Sequence, residues 1–85
     1  MVYVYLLRSQ KDGTYYIGYS SDLRKRVREH NTGAVQTTRK KEPYQLVYYE
    51  AYSSLGAALM REKKLKHFGS AYYELLKRTG HNMGA

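Results

Sequence analysis

Two charged side chains, Arg26 and Glu62, fall at positions that a helix would turn toward apolar neighbours. With about 100° of rotation per residue, Arg26 flanks the apolar stripe that begins at Leu23. On a later helix, Glu62 falls inside the stripe between Leu55 and Leu65. An inward carboxylate is costly unless it is paired, protonated or bound to a metal ion. The two positions are therefore candidates for chemistry that needs a fixed cation and a cation-binding carboxylate.

Each candidate also has a structural interpretation, and the spacing leaves both open. Glu62 can form an ion pair with Arg26, or with Lys66 one helical turn later. Arg26 can extend its stem along the edge of the core, with His30 half-buried one turn further along the same side. The other basic residues of the second helix point mostly away from its stripe and predict a solvated basic face: Lys63, Lys64, Lys66 and His67.

Several familiar kinds of site are absent from the sequence. The glycines at 13, 18 and 33 are too far apart to make a phosphate-binding loop. The three histidines have no paired spacing and there is no cysteine, which argues against zinc. Acidic residues are too sparse for a two-metal site, which clusters several carboxylates. Metal chemistry in this chain must therefore use very few protein ligands.

The elements that position these residues follow the order β-β-α-β-α-α. Asp22 complements the positive end of the first helix, and Ser20 or Ser21 is expected to cap it. Ser53 or Ser54 caps the second helix, and a polar basic loop occupies 33–43. Strands are predicted at 2–7, 14–19 and 45–52, and helices from about 22 to 31, 55–68 and 70–78. We expect an α+β fold, a small three-stranded antiparallel or mixed sheet flanked by helices, as one domain over 1–78 with a flexible tail at 79–85.

Composition indicates a polyanionic partner. Fifteen Lys and Arg against seven Asp and Glu give the 85-residue chain a formal charge of +8. Such a charge is typical of nucleic-acid binders, although an anionic membrane surface or a ribosome would also attract it. No apolar run approaches the roughly 20 residues of a membrane span, and the N-terminus does not resemble a signal peptide. We therefore expect a soluble, cytoplasmic protein with no membrane partner.

Four short motifs resemble the GIY-YIG endonuclease family in order and spacing. They are Tyr3-Val4-Tyr5, Tyr16-Ile17-Gly18, Asp22-Leu23-Arg24-Lys25-Arg26 and Arg61-Glu62. The resemblance covers about residues 2–68 and is strongest to the small standalone bacterial members. The chain is also similar to the N-terminal nuclease domain of the excision-repair endonuclease. It departs from the pattern at Tyr3, which replaces the first glycine, and at Tyr19, where several branches carry Lys, Thr or Ser.

The resemblance implies a Mg²⁺- or Mn²⁺-dependent endonuclease acting on DNA. It makes Tyr5 and Tyr16 the motif tyrosines, Arg26 the essential arginine and Glu62 the metal-binding glutamate. His30 stands where the family has His or Tyr, and the general base is open among Tyr5, Tyr16 and His30. At the same site, Gly18 is interpreted as allowing close approach of backbone or substrate, or as an ordinary strand-end glycine.

The basic stretches predict how DNA would be held. Contacts to the sugar–phosphate backbone, which position DNA without reading its sequence, are assigned to Arg24, Lys25, Arg28, Arg39, Lys40 and Lys41. Exposed tyrosines, for which Tyr15, Tyr19 and Tyr44 are the candidates, could stack on unpaired bases and favour single-stranded or branched DNA, although sheet packing also accounts for them.

The alternatives to an endonuclease are a non-catalytic nucleic-acid-binding module with a vestigial site, and a protein recruited to ribosomes or membranes by charge alone.

Overall fold

The computed structural model describes residues 1–35, 38–67 and 69–78. The flexible tail expected at 79–85 lies outside these residues. Three strands and three helices follow the predicted order: β1 Val2–Ser9, β2 Tyr15–Ser20, α1 Leu23–Asn31, β3 Tyr44–Tyr52, α2 Leu55–His67 and α3 Gly69–Arg78. The α+β class and the β-β-α-β-α-α order are confirmed, and the boundaries differ from the predicted ones by one or two residues.

The sheet is antiparallel throughout, with strand order β2-β1-β3. Central β1 is therefore bonded on both sides, and its residue Tyr5 lies opposite Gly18 on one side and Tyr49 on the other. A register shift between Leu6 and Leu7 marks a bulge against β3. The turn between β1 and β2 uses Gly13 at φ 75°, a conformation that residues with a Cβ rarely adopt.

Both faces of the sheet are covered, because successive side chains of a strand point to opposite sides. On one face, which we call the α1 face, Tyr5, Leu7 and Tyr44 pack with Leu23 and Val27 of α1. On the other, the α2–α3 face, lies a larger apolar cluster of Val4, Leu6, Ile17, Ala58, Leu65, Leu75 and Leu76. The predicted apolar stripe of α2 begins at Ala58, not at Leu55. Leu55 is 51% exposed because it is the first residue of the helix, one turn before the part that packs on the sheet.

The cap predicted for α2 is confirmed at Ser54, whereas α1 is capped by Asp22 and not by the predicted serine. Asp22 caps α1, since its side chain accepts a 3.1 Å hydrogen bond from the backbone N–H of Lys25. Ser20, expected as a possible cap, instead exchanges hydrogen bonds with the backbone of Asp22. At α2, Ser54 is the cap and accepts from the backbone N–H of Ala57 at 3.2 Å.

A polar cluster around Glu50 joins β3 to α2 on the α2–α3 face. The Glu50 carboxylate accepts two hydrogen bonds from the Arg61 guanidinium, at 2.8 and 3.1 Å. It also accepts hydroxyl hydrogen bonds from Tyr48 at 2.8 Å and Tyr52 at 2.6 Å. Burial opposes the charge, but these four bonds outweigh it and lower the pKa of Glu50. Arg61 is thus fixed within the fold beside the next residue, Glu62.

Candidate active site

Tyr5 is a buried residue of the central strand, and its phenol extends across Gly18 of the neighbouring strand. The Tyr5 side chain is 1% exposed. A Cβ at position 18 would lie 2.5 Å from the Tyr5 hydroxyl oxygen and 3.0 Å from the Tyr16 ring. The group that closely approaches Gly18 is therefore the side chain of Tyr5. Glycine is needed here because any side chain would displace the phenol.

A hydrogen-bonded chain runs from Tyr5 into the loop that follows α1. The Tyr5 hydroxyl lies 2.9 Å from His30 Nε2, and His30 Nδ1 lies 2.8 Å from Thr38 Oγ1. Since the Thr38 hydroxyl donates to the Val35 carbonyl at 3.4 Å, its oxygen is free to accept from His30 Nδ1–H. We therefore assign His30 as the neutral Nδ1–H tautomer, which leaves Nε2 to accept the proton of Tyr5.

Burial keeps both members of this chain neutral near pH 7. His30 is fully buried, and desolvation together with the nearby Arg26 lowers its pKa to about 4. Desolvation raises the pKa of Tyr5 to about 12, although the Arg26 guanidinium beside the phenol opposes the rise. The negative charge of Glu62 adds a small contribution to this rise in the pKa of Tyr5. His30, predicted as a candidate catalytic residue, can act on a bound molecule only through Tyr5.

Arg26 lies at the open edge of the cluster, as its position on the helix predicted. Its side chain is 36% exposed and makes a 3.2 Å ion pair with Glu29, one turn later on α1. The interaction with the Tyr5 hydroxyl raises the pKa of Arg26 most, and Glu29 adds to it. The Arg26–Glu62 ion pair that the sequence left open is not among the ion pairs of the described residues.

Glu62 approaches the cluster from α2, beside the edge strand β2. Its side chain is 13% exposed, and Lys66 Nζ lies 3.6 Å from its Oε2. The ion pair with Lys66, the other structural interpretation, is thus present, but Lys66 is 43% exposed and makes a single long contact. The Lys66 ammonium also lies 5.9 Å from the centre of the Tyr16 ring. Lys66 was assigned to a solvated face by sequence, and the structure places it at the site.

Tyr16 is the half-buried phenol of the cluster. Its ring centre is 4.8 Å from that of His30 and 6.4 Å from that of Tyr5. The two rings belong to neighbouring strands on the α1 face. The cluster therefore draws Tyr5 from β1, Tyr16 from β2, Arg26 from α1 and Glu62 from α2, with Tyr5 as their shared neighbour.

The donors at this place suit a hard cation that keeps most of its water. Across 1–35, 38–67 and 69–78, no three carboxylates or imidazoles are grouped as a metal cluster. Glu62 offers one carboxylate, and the Tyr5 phenol, with a pKa of about 12, is a neutral group of the same cluster. Mg²⁺ accepts one or two carboxylates with water and substrate phosphates completing an octahedron, and Mn²⁺ takes the same oxygen ligands. The residues present therefore fit Mg²⁺ or Mn²⁺ held by Glu62.

The predicted phosphate-contacting residues fall into two groups that are not part of this cluster. Arg24 and Arg28 line a groove on the opposite side of α1, and the Lys25 side chain is exposed. The loop residues are tied to the β1–β2 turn and to the end of α1. Their contacts are Arg39 Nε to the Gly33 carbonyl, Lys40 O to Lys11 Nζ, and Lys41 Nζ to Asp12, at 3.1, 3.2 and 3.7 Å.

Of the three tyrosines proposed to stack on bases, Tyr19 is the most exposed, at 42%. Tyr44 is 6% exposed, so the prediction of an exposed ring is wrong. Its backbone N–H is held by the Asn31 side chain, and this places the ring against His30 at 5.9 Å. Tyr15 is half-buried, with its ring 6.4 Å from that of Tyr72 on α3. Sheet packing accounts for these last two residues.

Sequence reasoning missed Thr38 and Lys66. Thr38 is 1% exposed, although the sequence of its loop is polar and basic. The residues next to it in the sequence do not distinguish it from Thr37. Lys66 carried a signal, its spacing of four residues from Glu62, but its contact with Tyr16 depends on how α2 lies beside β2.

Comparison with known proteins matches most of the chain to one family. The profile of the GIY-YIG catalytic domain covers residues 1–73. A UPF0213 protein of Haloquadratum walsbyi is 42% identical over 67 residues, which are 78% of this chain and 74% of the relative. One from Halobacterium salinarum is 39% identical over 77 residues, 89% and 99% of the two chains. One from Staphylococcus saprophyticus is 40% identical over 67 residues, 78% and 80% of the two.

A solved structure agrees with these matches. The solution NMR structure of UPF0213 protein BH0048 from Bacillus halodurans shares 31% identity with the chain. It superposes with a TM-score of 0.57 over 99% of this chain and 90% of its own.

Among the described helices, none has the length and apolar character needed to cross a membrane.

Proposed function

The chain belongs to the GIY-YIG catalytic domain family, and from this we propose that it is a divalent-metal-dependent endonuclease that hydrolyses phosphodiester bonds in DNA. GIY-YIG is a nuclease family, so hydrolysis of a nucleic acid is the activity that membership indicates. The observation that carries the proposal is the convergence of Tyr5, Tyr16, Arg26 and Glu62 from four different elements. These are the residues that match the family's motifs.

In this proposal Arg26 stabilises the charge that develops on the scissile phosphate. Its guanidinium is planar and permanently charged, and it can donate to two phosphate oxygens at once. The ion pair with Glu29 and the contact with Tyr5 hold it in place before substrate arrives. Such preorganised charge acts mainly where negative charge accumulates, in the transition state.

Tyr16 is our choice for the general base that deprotonates the attacking water. Tyr5 is less suited because its pKa of about 12 and its donated hydrogen bond to His30 hold its proton. His30 is fully buried, and both ring nitrogens are occupied. Tyr16 is the more accessible phenol, and it lies beside the Lys66 ammonium. Tyr5 and His30 then position Tyr16 and the phosphate.

Glu62 would hold the divalent cation, Mg²⁺ or Mn²⁺. When bound, the cation supplies Lewis-acid stabilisation to the phosphate and to the leaving oxygen. Lys66, which pairs loosely with Glu62, would move aside to make this carboxylate available. Lys66 would then remain close to the ring of Tyr16.

The substrate class proposed is single-stranded or branched DNA. The net charge of +8 favours a polyanion. Exposed tyrosines such as Tyr19 and Tyr49, at 42% and 53%, offer rings to unpaired bases. Backbone contacts by Arg24, Lys25 and Arg28, and by Arg39, Lys40 and Lys41, would position the strand.

A non-catalytic nucleic-acid-binding module is the second candidate. The observation that favours it is the Glu62–Lys66 ion pair, because a paired carboxylate is a poorer ligand for a cation. In that case the tyrosine cluster would serve packing alone, and the positive surface would bind DNA without cutting it.

The experiment that separates the two candidates is incubation with labelled single-stranded, duplex and forked DNA, each with Mg²⁺, Mn²⁺ or chelator. The endonuclease proposal predicts metal-dependent cleavage, strongest on the single-stranded or forked substrate. Binding to all three substrates with no cleavage under either metal would support the module. Cleavage that persists in chelator would contradict the role given to Glu62.

A further inference from the structure

A groove on the far side of α1 lies outside the cluster described above. Its volume is about 630 Å³, and its walls come from β1, β3 and α1. Tyr3 and Tyr49 form an aromatic wall, with their ring centres 5.9 Å apart in an edge-to-face arrangement. Tyr49 is 53% exposed, although it belongs to a strand that packs against a helix. Leu23, Val27 and Leu46 supply the apolar remainder of the lining.

The rim of this groove is positively charged. Arg24 and Arg28 lie one helical turn apart on α1 and both line the groove with exposed side chains. Neither has a carboxylate within ion-pair distance among the described residues. Asp22 also lines the groove, but one of its oxygens is engaged in capping α1. The rim therefore offers two guanidinium groups without an ion-pair partner among the described residues, beside the exposed ring of Tyr49 and the half-buried ring of Tyr3.

The groove and the candidate active site are adjacent along β1. Tyr3 and Tyr5 lie two residues apart on the same face of one strand, which is roughly 6.6 Å. Helix α1 lies between the groove and the candidate active site and contributes side chains to both. Arg26 interacts with Tyr5 and Glu29, whereas Arg24 and Arg28 line the groove with Tyr3 and Tyr49. A strand whose phosphate meets Arg26 can therefore continue into the groove.

We propose that this groove is a nucleotide subsite, which holds one unpaired base of the substrate strand against Tyr49 while Arg24 and Arg28 contact its flanking phosphates. The proposal rests on the proposed DNA endonuclease function and adds the place where the strand is gripped. A nucleobase has a flat π-face that stacks on tyrosine without regard to sequence, and its phosphates need cations beside the ring. A pocket of a few hundred Å³ matches a small flat ligand.

A base in this groove cannot be paired with a complementary strand. Stacking on Tyr49 places the base inside the pocket between α1 and the sheet, where a partner base would meet the protein. The subsite therefore explains a preference for single-stranded or branched DNA by a specific contact. It also predicts that one nucleotide, at a fixed distance from the cleaved bond, matters more for binding than its neighbours.

The test uses labelled single-stranded oligonucleotides in chelator, so that binding is measured without cleavage. Tyr49→Ala is compared with Tyr73→Ala, which removes a ring of nearly equal exposure, 50%, from α3. Stacking on one ring predicts that Tyr49→Ala weakens binding about 5- to 150-fold. Tyr73→Ala is expected to bind like the wild type.

The phosphate contacts are tested by the double variant Arg24→Gln with Arg28→Gln. It should make the slope of log affinity against log salt shallower by up to about 1.4.

A second measurement scans an abasic nucleotide along the oligonucleotide. The wild type should lose affinity mainly at one position, and Tyr49→Ala should lose that sensitivity, because the base and the ring form one interaction. Equal effects of Tyr49→Ala and Tyr73→Ala, or an abasic scan without a preferred position, would overturn the subsite. Either result is compatible with metal-dependent cleavage, so the proposed function could stand without it.

Two further outcomes separate the inferences. If Tyr49 governs binding but no metal supports cleavage, the subsite stands and the endonuclease proposal fails. If the wild type is a dimer without DNA and Tyr49→Ala is a monomer, the groove is a contact between two copies, and the subsite is wrong. Sedimentation of both proteins in chelator decides this last point.

Discussion

Each face of the sheet carries a glutamate surrounded by tyrosines, and the two differ in how completely the carboxylate is bonded. On the α2–α3 face, Glu50 accepts four hydrogen bonds, two from Arg61 and one each from Tyr48 and Tyr52. At the edge of the α1 face, Glu62 has a single ion-pair contact among the described residues, at 3.6 Å to the exposed ammonium of Lys66. Both carboxylates are about equally buried, at 14% and 13% exposed.

The difference in hydrogen bonding indicates which of the two glutamates is available for chemistry. A buried carboxylate whose lone pairs are filled by hydrogen bonds is held in one geometry and braces the fold. One whose lone pairs are largely unfilled can exchange its partner for a cation. The two arginines differ in the same way. Arg61 donates two hydrogen bonds to one carboxylate, whereas the partners of Arg26 are a single glutamate and a neutral phenol.

The largest effect on turnover apart from Glu62 is expected at Arg26. Arg26→Ala should lower the rate at saturating DNA by at least about 10²-fold, the loss that follows removal of one preorganised electrostatic group. Binding should change much less, because the charge is needed most in the transition state. Arg28→Ala, on the opposite side of α1, should instead weaken affinity. Equal loss of saturating rate in both variants would show that Arg26 has no special place.

Thr38 should affect turnover by a smaller factor, because it acts through His30 and Tyr5. Thr38→Val keeps the volume but removes the acceptor of His30 Nδ1–H, so His30 is no longer held in one tautomer. We expect about a tenfold slower saturating rate and a loss of roughly 1–3 kcal/mol in unfolding free energy. Thr38→Ser restores the hydroxyl and should recover most of the rate. If Ser and Val behave alike, the hydroxyl has no positioning role.

His30 should give the protein an acid-dependent stability. Its pKa is about 4 in the fold against an ordinary value of 6.5, so the unfolded chain binds the proton more readily. The stability that neutral His30 contributes is therefore complete above about pH 6.5 and is lost as the pH falls through about 4. Denaturant unfolding at several pH values measures it. His30→Gln should show a flatter dependence over this range, and an unchanged slope would contradict the assignment.

The smallest effect is expected from the loop at 39–41, which lies away from both glutamates. Replacing Arg39, Lys40 and Lys41 by alanine removes up to three phosphate contacts, each about 0.7 in the slope of log affinity against log salt on single strands. The slope should become shallower by up to roughly 2, with the saturating rate near that of the wild type. An unchanged slope would move the DNA to the Lys63 and Lys64 side of α2. A lost rate with unchanged slope would mean that the loop orders the site through Thr38.

The sequence predicted the order of elements and much of the cluster because both depend on local spacing. The side to which Arg26 points follows from helical geometry, and so does the burial of Glu62. What could not be predicted depends on contacts between distant elements. Thr38 becomes part of the site only because its loop folds back on His30, and Tyr44 is buried only because Asn31 anchors the start of β3. The groove at Tyr49 likewise needs α1 and β3 placed together.

The central claim is that Glu62 serves chemistry and Glu50 serves the fold, and the same substitution at both positions tests it. Glu62→Gln should abolish cleavage with Mg²⁺ while the unfolding free energy and DNA binding stay close to the wild type. Glu50→Gln should lower the unfolding free energy by about 2 kcal/mol or more, because it leaves Arg61 without its partner. Where still folded, it should cleave at the wild-type rate. Normal cleavage by Glu62→Gln at limiting Mg²⁺, or loss of cleavage by folded Glu50→Gln, would contradict the account.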